Sequence, residues 1–237
     1  MRRLRYLFVL AMAAAVLLLP GTEAFTQQAQ IDVRLRLAFP GDTKRPAPPA
    51  VVWLKPMQAM PELQFPPHKT YMLMQKNRTC SPHLLVVPVG TEVWFPNTDP
   101  FYHNVFSLFD GKRFDLGLYE AGSTKGVTFS REGVSYIFCN IHPEMSAVVV
   151  ALSTPLYAIA DAAGVVDVHE VPAGDYELHA WVEGVPQTVL DRLSHRVHIA
   201  PGAADLGSLN LPIAPVRSAA HANKFGQPYD KDSKPTY

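Results

Sequence analysis

Phe138-Cys139-Asn140-Ile141-His142-Pro143-Glu144-Met145 ends an apolar run and sets a thiolate, an imidazole and a thioether within one short turn. Soft sulfur donors beside a borderline imidazole suit copper, which cycles between two oxidation states. A trigonal set of two His and one Cys with a long axial Met is the arrangement of blue-copper electron-transfer sites. One imidazole is missing from the stretch and has to come from another strand. The run Asn97-Thr98-Asp99-Pro100-Phe101-Tyr102-His103-Asn104-Val105-Phe106 offers it at His103, where Asn97 and Asp99 supply an Asx-type turn just upstream.

Working outward, the chain has the rhythm of short strands and turns. It carries 22 prolines and 14 glycines in 237 residues and shows no sustained 3.6-residue period, which predicts an all-β fold. Ile31 to Leu37 alternates apolar and polar, as a half-buried strand does, while Val51-Val52-Trp53-Leu54 and Leu84-Leu85-Val86-Val87 are short apolar runs fit for a sandwich core. Gly90 turns the chain into a strand over Thr91 to Phe95. Gly133 opens the strand that ends at Cys139, and Ser146 to Leu152 returns from the ligand loop.

On these residues the segment Ile31 to Leu152 resembles the cupredoxins, in particular exported plastocyanin- and amicyanin-like proteins of the methylamine-utilisation type. The Cys139-x-x-His142-x-x-Met145 spacing and the His103-Asn104-Val105 run carry the resemblance. It implies a Greek-key β-sandwich holding one type 1 copper, with His103, Cys139 and His142 as equatorial ligands and Met145 as the axial one. It also implies that Asn104 ties the two ligand loops together; a simple turn role for Asn104 is the alternative. By the same resemblance the ring edge of His142 lies near the surface. Ile141, Pro143, Phe101 and Tyr102 would form a small apolar docking patch around it, unless those residues pack between two domains under Trp181.

After Thr154 the strand pattern restarts, and Val171-Pro172-Ala173-Gly174-Asp175-Tyr176 gives a turn followed by an alternating strand to Trp181. Thr154 to Pro212 resembles the carboxypeptidase-regulatory-like, prealbumin-type β-sandwich, a smaller domain expected to act as a spacer or docking module or, equally, as a helper that merely caps the cupredoxin edge. At the other end, Met1 to Ala24 reads as a secretory signal: Arg2, Arg3 and Arg5, an apolar run from Tyr6 to Leu19 shorter than the roughly 20 residues of a spanning helix, and small residues at Thr22 and Ala24. The expected organisation is therefore a signal over 1–24, a cupredoxin domain over 25–152, the second sandwich over 153–213 and a flexible polar tail over 214–237. Export places the protein in the periplasm, with no membrane attachment after cleavage.

Formal charge is zero. Removing Arg2, Arg3, Arg5 and Glu23 with the signal takes the 21 basic and 21 acidic residues to 18 and 20, a net of about −2, which gives no support for nucleic acid or an anionic membrane as partner. An exported chain with two cysteines admits a single disulfide between Cys80 and Cys139. The His and Met that follow Cys139 argue instead for a ligand, leaving Cys80 as a small buried residue. His195 and His198, three apart on a strand, belong on opposite faces. His83, beside Pro82 at a strand entry, is a weaker candidate. Met57, Met60, Met72 and Met74 fit core or loop packing better than copper transfer. A closed four-ligand site describes an electron carrier without enzymatic activity, exchanging electrons with protein partners of cytochrome c or dehydrogenase type. A copper delivery or storage protein and a dedicated electron-accepting subunit of a dehydrogenase are the alternatives.

Overall fold

The structure, a computed structural model, describes residues 30–41, 45–66, 70–108, 111–202, 205–212, 214 and 222–229. The expected signal at 1–24 lies outside them. Among the described residues no helix is long and apolar enough to cross a membrane.

The chain is nearly all β. In order come β1 (Gln30–Ala38), β2 (Ala50–Pro56), β3 (Tyr71–Met72), β4 (Met74–Lys76), β5 (Thr79–Ser81), β6 (Leu84–Pro88), β7 (Thr91–Pro96), β8 (His103–Ser107) and β9 (Phe114–Tyr119). They are followed by β10 (Thr124–Phe129), β11 (Gly133–Phe138), β12 (Ser146–Leu152), β13 (Tyr157–Ile159), β14 (Val165–Pro172) and β15 (Gly174–Val182). The helix α1 (Gln187–Leu193), then β16 (His195–Ile199) and β17 (Asp205–Asn210), complete the chain of elements.

Strand pairing divides these elements differently from the boundary expected at residue 152. A five-stranded sheet in the order β6-β12-β11-β8-β9 faces a sheet β10-β7-β3, with the β4-β5 hairpin alongside; together they make an inner β-sandwich. The strands at Ile31 to Leu37 and Val51 to Leu54, expected in that sandwich, are not part of it. β1 lies between β14 and β17, and β2 lies between β13 and β15, so both build the second sandwich. The inner sandwich is thus threaded between the second and third strands of the outer one. Alternation in Ile31 to Leu37 specifies that one face is buried, but it carries no information about which neighbour pairs with it.

The two sandwiches share β12. Its last six residues, Ala147 to Leu152, read as one apolar run because both faces are covered. Ala147, Val149 and Ala151 face the core that contains Cys139 and Met145, whereas Val148, Val150 and Leu152 join the core of the outer sandwich with Leu54, Tyr176 and Trp181. Tyr136 continues the seam, its hydroxyl accepting from the Trp181 indole N–H at 3.1 Å. Trp181 is fully buried, as the sequence predicts, and truncating such a residue to Ala costs about 3–5 kcal/mol.

Period-2 alternation in β11 aims the site. Ser135, Ile137 and Cys139 point to the inner core, while Val134 and Tyr136 pack toward the outer sandwich. Gly90 adopts φ of +89° at the turn between β6 and β7, a conformation that favours glycine.

Candidate metal centre

His103 opens β8, Cys139 follows the last residue of β11, and His142 lies three residues further on the loop to β12. Their ligating atoms all fall within 4.8 Å of one another, and all three residues are buried. The Cys139 Sγ stands 3.8 Å from His103 Nδ1 and 3.6 Å from His142 Nδ1. An ion bound by nitrogen at about 2.0 Å and by sulfur at about 2.3 Å, with an angle between trigonal and tetrahedral, would separate those atoms by about 3.5–3.7 Å. The donor set and its spacing therefore fit a single soft transition-metal ion. The two imidazole rings are 4.9 Å apart at 67°, and Phe101 packs on both, at 5.3 Å from His103 and 5.6 Å from His142.

Met145 is fully buried in the same core cluster as Cys139. The loop is cinched by its backbone: Cys139 N–H donates to the Met145 carbonyl at 3.2 Å, and Met145 N–H to the His142 carbonyl at 3.1 Å. These bonds close the turn that carries Cys139, His142 and Met145.

His103 is oriented from behind. Its Nε2 bonds the Asp99 carboxylate at 2.8 Å, leaving Nδ1 toward Cys139. A carboxylate on the far nitrogen fixes the tautomer of a ligating histidine and raises its basicity. Asp99 is held in turn by the β4-β5 hairpin. Its two-residue turn places Asn77 and Arg78 at positive φ, 52° and 54°, and sends both amides to the Asp99 carboxylate at 2.6 and 3.0 Å. The Asx turn foreseen at Asn97 is present: its Oδ1 accepts from Asp99 N–H at 3.0 Å and its Nδ2 donates to the Phe101 carbonyl at 2.8 Å. Burial alone would raise the Asp99 carboxyl, but the amides of Arg78 and Asn77 and the His103 ring outweigh it and hold the group below its ordinary value.

Burial pushes the Cys139 thiol up, opposed by N–H groups of Asn104, Ile141 and His142 aimed at the sulfur. Burial and the neighbouring His103 push His142 down, toward the neutral imidazole that ligation requires.

Of the predicted site residues, His103, Cys139 and His142 converge, and Met145 is buried beside them. Asn104 acts differently from the expected direct tie. Its backbone N–H reaches the Cys139 sulfur, while its side chain donates to Asp115 at 2.7 Å and not to the other ligand loop. His142 is only 3% exposed, with the Phe101 ring 5.6 Å from its own. Tyr102 and Pro143 are exposed, whereas Phe101 and Ile141 are half-buried. Trp181 lies in the core of the outer sandwich with its indole N–H on Tyr136, whereas Ile141 packs against the inner core.

Both cysteines are free, so a Cys80–Cys139 disulfide is excluded in this structure. Cys80 is buried in the same core, which drives its thiol up to about 12. His195 and His198 are exposed on β16. His83 lies away from the centre, bridging the Ser146 carbonyl at 3.2 Å and Glu183 at 2.7 Å. Met57, Met72 and Met74 are exposed and do not serve the expected packing role, whereas Met60 packs against the outer core. Asp99 was legible only as a turn residue; its spacing of four before His103 was the available signal. Asp115, Lys224 and Tyr229 carry no local motif, and Tyr229 bonds the Cys139 carbonyl from 90 residues away.

No family model matches the chain, and no curated protein matches it. Among solved structures it is similar to a purple cupredoxin from Nitrosopumilus maritimus, at 26% identity over 35% of this chain and 99% of that one, with a TM-score of 0.32. An amicyanin from Paracoccus versutus is 20% identical over 37% of this chain and 85% of that chain, TM-score 0.33. A Cu-containing nitrite reductase from Thermus scotoductus is 21% identical over 41% of this chain, TM-score 0.34; the match spans only 25% of that enzyme.

Proposed function

We propose that this protein is an exported type 1 copper protein that carries electrons between protein partners in the periplasm. The observation that carries the proposal is the buried convergence of one thiol and two imidazoles at spacings that fit one ion, with Met145 buried in the same core cluster as the thiol. Copper held there supplies one-electron exchange between Cu(II) and Cu(I). The chain's own residues do the rest. Cys139 provides the thiolate and the N–H groups around its sulfur spread that charge. Asp99 and the hairpin amides keep His103 in one tautomer and one orientation, which limits movement when the oxidation state changes. Met145, buried in the same core cluster, would offer the ion a soft thioether sulfur, and burial of the set would keep water away from it.

In this proposal the outer sandwich, which resembles the carboxypeptidase-regulatory-like domains, is a rigid spacer or docking module with no chemistry of its own. Partners of cytochrome c or dehydrogenase type would approach the end of the sandwich that bears Tyr102 and Pro143. The test is voltammetry of the copper-loaded protein, followed by stopped-flow mixing with a small cytochrome c. A reversible one-electron wave and second-order exchange are expected.

Exposure of Met72 on β3 and of Met74 on β4, at 48% and 40%, favours a second reading, copper delivery. Thioethers bind Cu(I) and release it readily. That reading takes over if copper enters only as Cu(I), without a reversible wave, and leaves rapidly to a chelator.

A further inference from the structure

The tail expected to be flexible includes a described segment, 222–229, that returns to the metal loop. It follows the last strand of the outer sandwich and has a local fold of its own. Asn223 Oδ1 accepts from the N–H groups of Phe225 at 2.9 Å and Gln227 at 3.0 Å, and Gly226, at φ of +76°, donates to the Asn223 carbonyl at 2.8 Å. The turn thereby presents Lys224 and Tyr229 to the inner sandwich.

Three bonds fasten it there. Lys224 N–H donates to Asn140 Oδ1 at 2.9 Å, Lys224 Nζ pairs with Asp115 Oδ2 at 2.7 Å, and the Tyr229 hydroxyl donates to the Cys139 carbonyl at 2.5 Å. Asp115 also accepts from Asn104 Nδ2 and from Gly117 N–H. A continuous chain of polar contacts thus runs from Asn104, whose amide meets the Cys139 sulfur, through Asp115 and Lys224 to Asn140, the residue after Cys139. Asn104 and the Cys139 loop are thus joined twice, directly by that amide and again through the C-terminal segment.

We infer that residues 222–229 form a strap that holds the Cys139–Asn140 turn in its ligating conformation, with Lys224 and Tyr229 as positioning residues for the metal centre. Cys139 lies just beyond the end of β11, where ladder pairing no longer fixes the chain, and the strap takes over that task from outside the sandwich. The loop's resistance to opening then depends on a segment that lies beyond the outer sandwich in sequence. Only the effect on metal release rests on the copper proposal; the effect on the loop itself does not.

Full-length protein in a Cys80→Ser background tests this, using Lys224→Met, Tyr229→Phe, the double variant and Lys224→Arg. The first readout is the rate at which the Cys139 thiol of metal-free protein reacts with an aromatic disulfide reagent. Losing one neutral and one partly exposed charged hydrogen bond should raise the open fraction of the loop by roughly tenfold to a hundredfold in the double variant. Tyr229→Phe alone, which deletes one hydroxyl, should give a smaller rise, and Lys224→Arg, which keeps the charge opposite Asp115, should stay near the parent. The second readout is Cu(I) loss to a chelator, expected to accelerate in the same order. Parent-like thiol reactivity in the double variant, or in Tyr229→Phe if the double variant does not fold, would overturn the strap. Raised thiol reactivity in a protein that binds no copper would uphold the strap and refute the copper proposal.

Discussion

Asp99→Asn probes the support behind His103. The carboxylate accepts three bonds, from the Asn77 and Arg78 amides and from the His103 ring. An asparagine has one acceptor oxygen, and its NH₂ must face one of those donors. If it faces an amide, that part-buried donor loses its partner, which costs about 1 kcal/mol of stability. If it faces His103, Nε2 becomes the acceptor and the ring proton moves to Nδ1, the atom aimed at Cys139, which opposes ligation. Loss of such outer contacts typically lowers metal affinity by about 10–100-fold. The more basic imidazole favours Cu(II) over Cu(I), so each tenfold loss confined to Cu(II) raises the potential by about 59 mV. The substitution should also remove an acid-sensitive part of the stability. The folded-state value of Asp99 is below its ordinary 3.8, so its contribution is full above that pH and is lost as pH falls through the lowered value. Competitive Cu(II) titration, voltammetry and denaturant unfolding measure the three effects. Unchanged affinity together with an unchanged potential would refute an orienting role for Asp99.

Cys80→Ser should leave the thiolate-to-copper absorption intact and cost about 1 kcal/mol or more of stability from burying a hydroxyl, read by thermal melting and visible spectroscopy. Met145→Gln should keep copper bound but lower the reduction potential, because an amide oxygen favours Cu(II); voltammetry decides it. His83 is raised above its ordinary 6.5, chiefly by the Glu183 carboxylate, so the pair's contribution is full below about pH 6.5 and is lost as pH rises through the raised value. Both side chains are about a third exposed, so solvent screening keeps it below about 1 kcal/mol. Glu183→Gln should flatten that limb of the stability profile in urea unfolding at several pH values.

The ligand loop was legible because its chemistry is local: three donor types at fixed spacing admit few alternatives, and alternation in β11 alone sends Cys139 inward. His103 was legible through the Asx turn that precedes it. Strand positions were legible as well, but the partners of β1 and β2 were not. An alternating or apolar run shows which faces are buried, and pairing across more than 100 residues is decided by core packing that no local pattern records. Asp99 looked like turn chemistry because it is turn chemistry, with a second task visible only once the hairpin amides are placed. The strap was hidden for a related reason. The composition of the tail is that of a segment too polar to fold alone, and its order comes from Asp115, Asn140 and the Cys139 carbonyl, none of which is near it in sequence.

The most direct test of the central claim is a Cu(II) titration of the metal-free full-length protein, followed by visible absorption and repeated with Cys139→Ser. An intense charge-transfer band should grow to saturation at one equivalent and be absent in the Cys139 variant. Stoichiometric copper binding with only weak absorption, or an intense band that survives Cys139→Ser, would contradict a thiolate-bound copper centre formed by His103, Cys139, His142 and Met145.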